Sequence, residues 1–374
     1  MQGASLRLEK EDYTMDFVIF GAKSLALGVY DAMRNLYPEY PVKSFLVSSK
    51  QGNPDRLAGL PVKEIEELSC EAEAGNIHVL IGTPQDIHGE IIGQLKKYGF
   101  CNYTCIDSHR EAFLMERYFM EIKRFPSIHN LCFLPNGSKA SLQVYMAKFH
   151  KDRPLLKEYA FPSWVIPLQV GAALTPVDAV AFKDNIGDNI SGKNGNYCEL
   201  TALYWLWKNQ LENNQKAETA EYYGLFHYRR VLDITDEDVL RIKGNDVDAV
   251  LPFPTLHEPD IREHHARYIG EGDWDAAVQA LKELQPDYAE AFDAIMSQPY
   301  FYNYNLIIAK RSVLENYCSW LFPILGRTEE LSNPKGWDRA DRYIGYIAES
   351  LMTLYFLYHQ KDLRIYHTGR RMLN

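Results

Sequence analysis

Cysteine is scarce and unpaired in this chain: six occur in 374 residues, none in a C-x-x-C arrangement. Cys101 and Cys105 are spaced too widely for a redox or zinc-knuckle pair, and no second pair accompanies them. With Cys70, Cys132, Cys198 and Cys318 scattered elsewhere, all six are expected as reduced thiols, mostly packed in cores, in a reducing compartment. Positive charge is also in deficit. Forty Lys and Arg against 50 Asp and Glu leave a net charge of −10, which argues against general nucleic-acid binding. No apolar run reaches the length of a bilayer span, and the first fifteen residues are too polar for a signal peptide. The expected location is cytoplasmic, with at most peripheral contact at the inner face of a membrane. Internal repeats and low-complexity tracts are absent.

What remains is enough chain for two cores. Residues 16–22, DFVIFGA, read as a buried strand ending in glycine, followed by a helical pattern through Leu27, Tyr30, Met33 and Leu36. Further strands are expected at 42–47, 77–84 and 102–107, with a helix at 86–100. This alternation predicts a parallel, Rossmann-like sheet over 1–125. The turn GAKSLALG does not fit G-x-G-x-x-G, since Lys23 and Ala26 occupy the second and third glycine positions. The second strand ends in Ser48, Ser49 and Lys50, with no acid to hold a ribose, so NAD is not expected. Lys23 and Ser24, at the start of the next helix, are either a phosphate site or a plain βα turn. An amphipathic helix at 113–125 and a connector at 126–158, with Pro126, Pro135 and Gly137 and a short element at 141–150 that Pro154 ends, lead to a second domain over 159–374.

The densest chemistry lies in residues 184–230. DNIGDNISGKNGNYCELTALYWLWKN opens as a polar loop, and Asn196 with Glu199 three residues later suggests a capping box. Leu200, Leu203, Trp207 and Leu211 follow at helical spacing. A polar loop feeding a helix N-terminus suits an anionic ligand. The next apolar run, Tyr222 to Phe226, ends in His227-Tyr228-Arg229-Arg230, and arginines at a buried strand end call for a partner such as phosphate. The bland reading makes Asn189 and Asn194 turn formers and the two arginines solvated. A strand at VIPLQV would aim its carboxyl end at Gly171, where ligands sit in doubly wound sheets. The expected donor-site set is therefore Gly171, Asp184, Asp188, Asn189, Asn194, His227, Arg229 and Arg230.

The series VIPLQVGAAL, DNIGDNISGKN, YCELTALYWLWKN, GLFHYRR, YNYNLIIAKRSVLENYCSWLFPIL and RYIGYIAESL resembles the DUF4422 family over about residues 160–374. These are bacterial glycosyltransferase-like proteins of capsule and exopolysaccharide biosynthesis. The resemblance implies a GT-A-like α/β domain that takes a nucleotide-sugar donor, UDP-sugar favoured, and a glycan or lipid-linked glycan acceptor. A GT-A enzyme usually carries Asp-x-Asp, which binds a divalent Mn or Mg, where this chain has HYRR. One physical reading is that Arg229 and Arg230 supply the cationic charge instead, so no metal ligand is assigned and metal dependence stays open.

Acid–base candidates follow from the need to take a proton from an acceptor hydroxyl. Asp273 belongs to Asp273-Trp274-Asp275, whose acids also suit a helix N-terminus. Glu349 lies on an expected helix, 338–359, two turns from Arg342 and off the apolar stripe. Asn303 and Asn305, between Tyr302 and Tyr304, suit an acceptor sugar, although strand alternation produces the same letters. Tyr317 to Leu325 reads as core, and Arg370 and Arg371 as solvent-exposed. The combined expectation is a transferase of a hexosyl unit to a surface polysaccharide. Its rivals are a non-catalytic scaffold of an assembly complex, and a sugar-nucleotide enzyme acting through the N-terminal domain.

Overall fold

The computed structural model describes residues 15–71, 73–133, 141–212 and 220–373; Pro135 and Gly137 of the expected connector lie outside them. The N-terminal domain runs β1 (Asp16–Phe20), α1 (Ser24–Leu36), β2 (Val42–Val47), β3 (Arg56–Leu57), β4 (Leu60–Glu64), α2 (Ile65–Glu71), β5 (Ile77–Ile81), α3 (His88–Lys97), β6 (Asn102–Cys105) and α4 (Ser108–Arg117). Its sheet order is β3-β4-β2-β1-β5-β6, parallel except for the β3–β4 pair. β5 is buried along its whole length and β1 over all but its first residue, the burial expected of central parallel strands covered on both faces. Gly21 follows β1 at φ +128°, where a Cβ would stand 2.7 Å from the Gly82 carbonyl oxygen. That contact lets α1 start close against β1 and β5.

The second domain continues with β7 (Leu142–Phe149), β8 (Val165–Val170), β9 (Phe182–Lys183), α5 (Asn194–Tyr197), α6 (Leu200–Leu206), β10 (Tyr222–His227), β11 (Arg230–Leu232) and α7 (Asp236–Gly244). It ends with β12 (Ala249–Pro252), β13 (Thr255–Leu256), α8 (Ile261–His265), α9 (Glu271–Leu284), α10 (Pro286–Met296), β14 (Tyr300–Phe301), β15 (Ile307–Lys310), α11 (Arg311–Leu331), α12 (Tyr343–Tyr358), β16 (Ile365–Thr368) and β17 (Arg370–Met372). Its sheet order is β16-β12-β15-β10-β7-β8-β9, with β15 antiparallel to both neighbours and β11 linking β10 to β17. The short element expected at 141–150 within the connector is a strand of this second sheet. Residues 142–149 are an interior strand of this sheet, hydrogen-bonded to β8 and β10 on either side, because Leu142, Val144 and Met146 bury on one face while Tyr145 and Ala147 bury on the other.

α6, α9, α11 and α12 cover one face of the sheet, and Tyr317, Trp320, Leu321 and Leu325 of α11 are buried there as expected. The two domains share a core. Phe253 and Leu256 pack with Leu27 and Phe119 of the N-terminal domain, Phe119 and Phe253 stacking at 5.6 Å. Of the cysteines only Cys318 is fully buried; Cys70, Cys101 and Cys132 are exposed, which corrects the expectation of packed thiols.

Candidate active site

At the carboxyl end of β10 the chain turns through His227 to Arg230, and the same edge receives the amino end of antiparallel β15. α12 and the α5–α6 junction close the other sides. The result is a cavity of about 310 Å³ lined by Glu199, His227, Arg230, Asn303, Arg342 and Glu349, among others. Asn305 Nδ2 donates to Glu199 Oε1 at 2.7 Å, and the Tyr304 backbone N–H donates to Glu349 Oε1 at 3.0 Å. Glu199 Oε1 also lies 3.7 Å from His227 Nε2. Arg230 stacks over the Tyr304 ring at 4.3 Å, and its buried Nε has no hydrogen-bond partner.

The backbone here is strained. Seven non-glycine residues among those described have positive φ, and four belong to this site: Cys198 (50°), Tyr304 (72°), Asn305 (50°) and Arg342 (71°). Such conformations cost of order 1–3 kcal/mol each and gather where function requires them. Two are adjacent between β14 and β15, so the chain from 301 to 309 does not run as one strand. The kink is what turns the Tyr304 N–H and the Asn305 amide toward the two glutamates.

Burial sets the electrostatics. It raises Glu349 to about 8, helped by the neighbouring Glu199 carboxylate and opposed by the Tyr304 N–H and Arg230. Burial also lowers His227, against the pull of Glu199, so its imidazole is neutral at neutral pH. Arg342 reaches Cys198 Sγ through Nε at 3.3 Å, and burial holds that thiol up at about 12.

Several expected site residues are elsewhere. Asp184 is fully buried and accepts from the Gly171 and Ala172 N–H groups at 2.9 and 3.1 Å and from the Ser191 hydroxyl at 2.5 Å. Asn194 bonds the Cys198 carbonyl and the Thr201 hydroxyl. Asn189 makes a local turn with Gly187 and Ser191, and exposed Asp188 accepts from Tyr204 OH. Gly171 is left-handed at φ +63°, where a Cβ would press on Asn194 at 3.0 Å. These five residues fold their own loop and do not line the cavity. Asp273 lies outside the cavity lining too. Its oxygens take both Nη atoms of Arg339 at 2.8 Å, a closed bidentate pair. Arg229 lies outside the cavity, ion-paired with Asp86 of the N-terminal domain at 3.4 Å. Arg370 and Arg371 are both ion-paired: mostly buried Arg370 with Glu111 at 2.6 Å, and partly exposed Arg371 with Asp233 at 3.1 Å.

The sequence profile of a domain of unknown function, DUF4422, matches residues 143–361. The chain belongs to the DUF4422 family. Its DUF4422 region includes β7, which the sequence pattern had assigned to the connector. Among solved structures, the apo form of the bifunctional glycosyltransferase WbbM is similar at 27% identity and a TM-score of 0.52, over 63% of this chain and 45% of that one. This chain thus spans less than half of that protein. The yeast (S. cerevisiae) mannosyltransferase Ktr4p aligns over 64% of this chain and 75% of its own at 13% identity and a TM-score of 0.27, too remote to bear on fold or function. No curated protein matches. The expected α/β class, a Rossmann-like domain followed by a GT-A-like one, is the architecture found.

Glu199 is the DUF4422-region residue that sequence reasoning missed. Its spacing from Asn196 reads as a capping box, yet Cys198 breaks the helix at φ 50° and turns Glu199 into the cavity. Asn196 is engaged elsewhere, donating to the carbonyls of Gly336 and Arg339. His264 and His265 also reach the cavity wall. His264 packs on His257 at 3.8 Å between ring centroids, and a His265 ring nitrogen lies 3.0 Å from Ser350 Oγ. Burial lowers them to about 4 and about 3, so both are neutral. Among the described residues no three His, Cys, Asp or Glu side chains are grouped to hold a metal ion. A cation shared with a diphosphate needs only one or two carboxylates, and Glu199 is the cavity group suited to that. No helix among the described residues is long and apolar enough to cross a membrane.

Proposed function

We propose that this protein is a glycosyltransferase, moving a hexosyl unit from a nucleoside diphosphate sugar to a hydroxyl of a glycan or lipid-linked glycan, with a UDP-sugar the favoured donor. The observation that carries the reading is the cavity at the carboxyl end of β10. It places a buried carboxyl with a raised pKa, Glu349, beside an arginine, Arg230, that no described carboxylate pairs. Membership of DUF4422 and likeness to part of a glycosyltransferase support it.

In this reading the acceptor hydroxyl attacks the anomeric carbon as the bond from that carbon to the diphosphate breaks. Glu349 takes the hydroxyl proton; a carboxylate with pKa near 8 is a stronger base than an ordinary one. Tyr304 fixes one oxygen of Glu349 and leaves the other for the acceptor. Arg230, held over the Tyr304 ring, meets the negative charge growing on the leaving diphosphate. Asn303 and the Asn305–Glu199 pair offer hydrogen bonds to sugar hydroxyls.

Thermal-shift screening of the full chain with UDP, GDP and CDP sugars tests the reading, followed by assay of nucleoside diphosphate release. Stabilisation by one donor class with release of its nucleotide is expected. No stabilisation and no release with any of them would leave the scaffold alternative in its place.

A further inference from the structure

A second, larger cavity of about 650 Å³ lies between the two domains. Its floor is the carboxyl edge of the N-terminal sheet: Gly21 after β1, Ser48 after β2 and Gly82 after β5. In this sheet the order reverses at β1, with β2 and β4 on one side and β5 and β6 on the other. The crevice at such a reversal is where doubly wound sheets take ligands. The opposite wall comes from the DUF4422 region and includes Arg230, Tyr268 and Tyr304. Ser24, Arg230, Tyr268 and Tyr304 also line the smaller catalytic cavity, so the two spaces meet at one neck.

The chemistry of the walls is directional. Arg230 stands at the neck, and Lys23, one residue before α1 and next in sequence to Ser24 of the neck, lines the larger cavity, with no ion pair found for it among the described residues. Arg230 Nε and Thr83 Oγ1, on the two walls, are buried polar atoms without partners. Arg370, stacked 5.5 Å from the Tyr304 ring, adds a second cation, although Glu111 already engages it. Away from the neck the lining includes Phe20, Ile87 and Ile106 and the hydroxyls of Ser48 and Ser49. Cations at one end and an apolar, hydroxyl-edged chamber at the other match a diphosphate joined to a nucleoside. The volume lies within the roughly 300–1,000 Å³ of small-molecule sites.

We propose that the inter-domain cleft holds the nucleoside diphosphate, with the diphosphate at the Lys23–Arg230 neck, the nucleoside against the N-terminal sheet and the transferred sugar in the cavity of Glu199 and Glu349. This rests on the transferase reading and deepens it. The N-terminal domain becomes half of the donor site, and the polar loop of residues 184–194 is relieved of that role.

Isothermal titration of the full chain with UDP, GDP and CDP tests the assignment. Lys23→Glu reverses the charge at the neck, and Ser49→Trp, at an exposed position, fills the chamber. Each is expected to weaken the bound nucleotide at least tenfold without shifting the melting temperature of the ligand-free protein. Asp188→Ala, on the polar loop, is expected to leave it unchanged. Wild-type binding in both cleft variants, with donor turnover intact, would overturn the cleft assignment and leave the transferase standing. Loss of binding in Asp188→Ala alone would do the same. Should the cleft variants lose a short isoprenoid pyrophosphate but keep the nucleotides, the cleft belongs to a lipid-linked acceptor and the proposal fails. No binding of any nucleotide together with no donor turnover would overturn both readings.

Discussion

Tyr304 donates its backbone N–H to Glu349 Oε1 at 3.0 Å from a left-handed conformation, φ 72°. That bond partly offsets a burial that raises Glu349 from its ordinary 4.5 to about 8. The unfolded chain releases this proton near pH 4.5, whereas the folded chain keeps it until about pH 8. Between those values the folded state binds more protons, so this residue's contribution to stability falls as pH rises. The penalty is absent below the lower value and complete above the higher one. Glu349→Gln removes it while keeping an oxygen for Tyr304. The variant is expected to melt with wild type at about pH 4.5 and at least about 2 °C above it at pH 9. An equal difference at both pH values would contradict the shift.

Glu199 is the second cause of that rise, after burial. In Glu199→Gln the amide oxygen still accepts from Asn305, but the like charge is gone. With Glu349 as the base, the rate in wild type is expected to climb with pH toward about 8. In Glu199→Gln the midpoint of that climb moves to lower pH. A midpoint that stays in place would separate Glu199 from Glu349.

The two neighbouring arginines are expected to part company. Arg230→Ala takes away the cation stacked on Tyr304 and is expected to cost on the order of a hundredfold in kcat/KM, about 2.7 kcal/mol. Arg229→Ala loses long contacts outside the cavity, to Asp86 and to the Leu373 carbonyl, each at 3.4 Å, with an effect within about threefold. If Arg230 supplies the charge that a metal would otherwise bring, EDTA leaves turnover within about threefold as well. Complete loss restored by Mn²⁺ or Mg²⁺ would contradict that.

Asp273→Ala is expected to act on stability. It strands Arg339, which keeps Asp341 as a second partner, so the loss is about 2–3 kcal/mol, below that of a fully buried pair. The melting temperature should fall while kcat of the folded fraction stays within a few-fold. A large fall in kcat with unchanged melting would return Asp273 to the chemistry.

The N-terminal sheet was legible because apolar runs of strand length alternate with helical periodicity, and β1, β2, β5 and β6 form where that pattern places them. β7 was harder to place, since LQVYMAKF carries polar residues among its apolar ones and follows a proline-bearing stretch. The site divided along a physical line. Residues 184–194 look like a ligand loop because asparagine and aspartate serve turns as readily as ligands, and here Asp184 spends its oxygens on backbone N–H groups. Arg230 and Glu349, singled out as a cation at a strand end and an acid off an apolar stripe, both line the cavity. Glu199 was hidden because a capping acid and a cavity acid have the same spacing. Only the left-handed turn at Cys198 separates them, and a non-glycine residue at positive φ leaves no mark in a sequence.

Release of nucleoside diphosphate from UDP-hexose, by wild type and by Glu349→Gln under identical conditions, tests the central claim most directly. Wild type should turn over, with the variant at least about a hundredfold slower at an unchanged fold. Equal rates for the two proteins, or no release by wild type from any UDP-, GDP- or CDP-sugar, would contradict it.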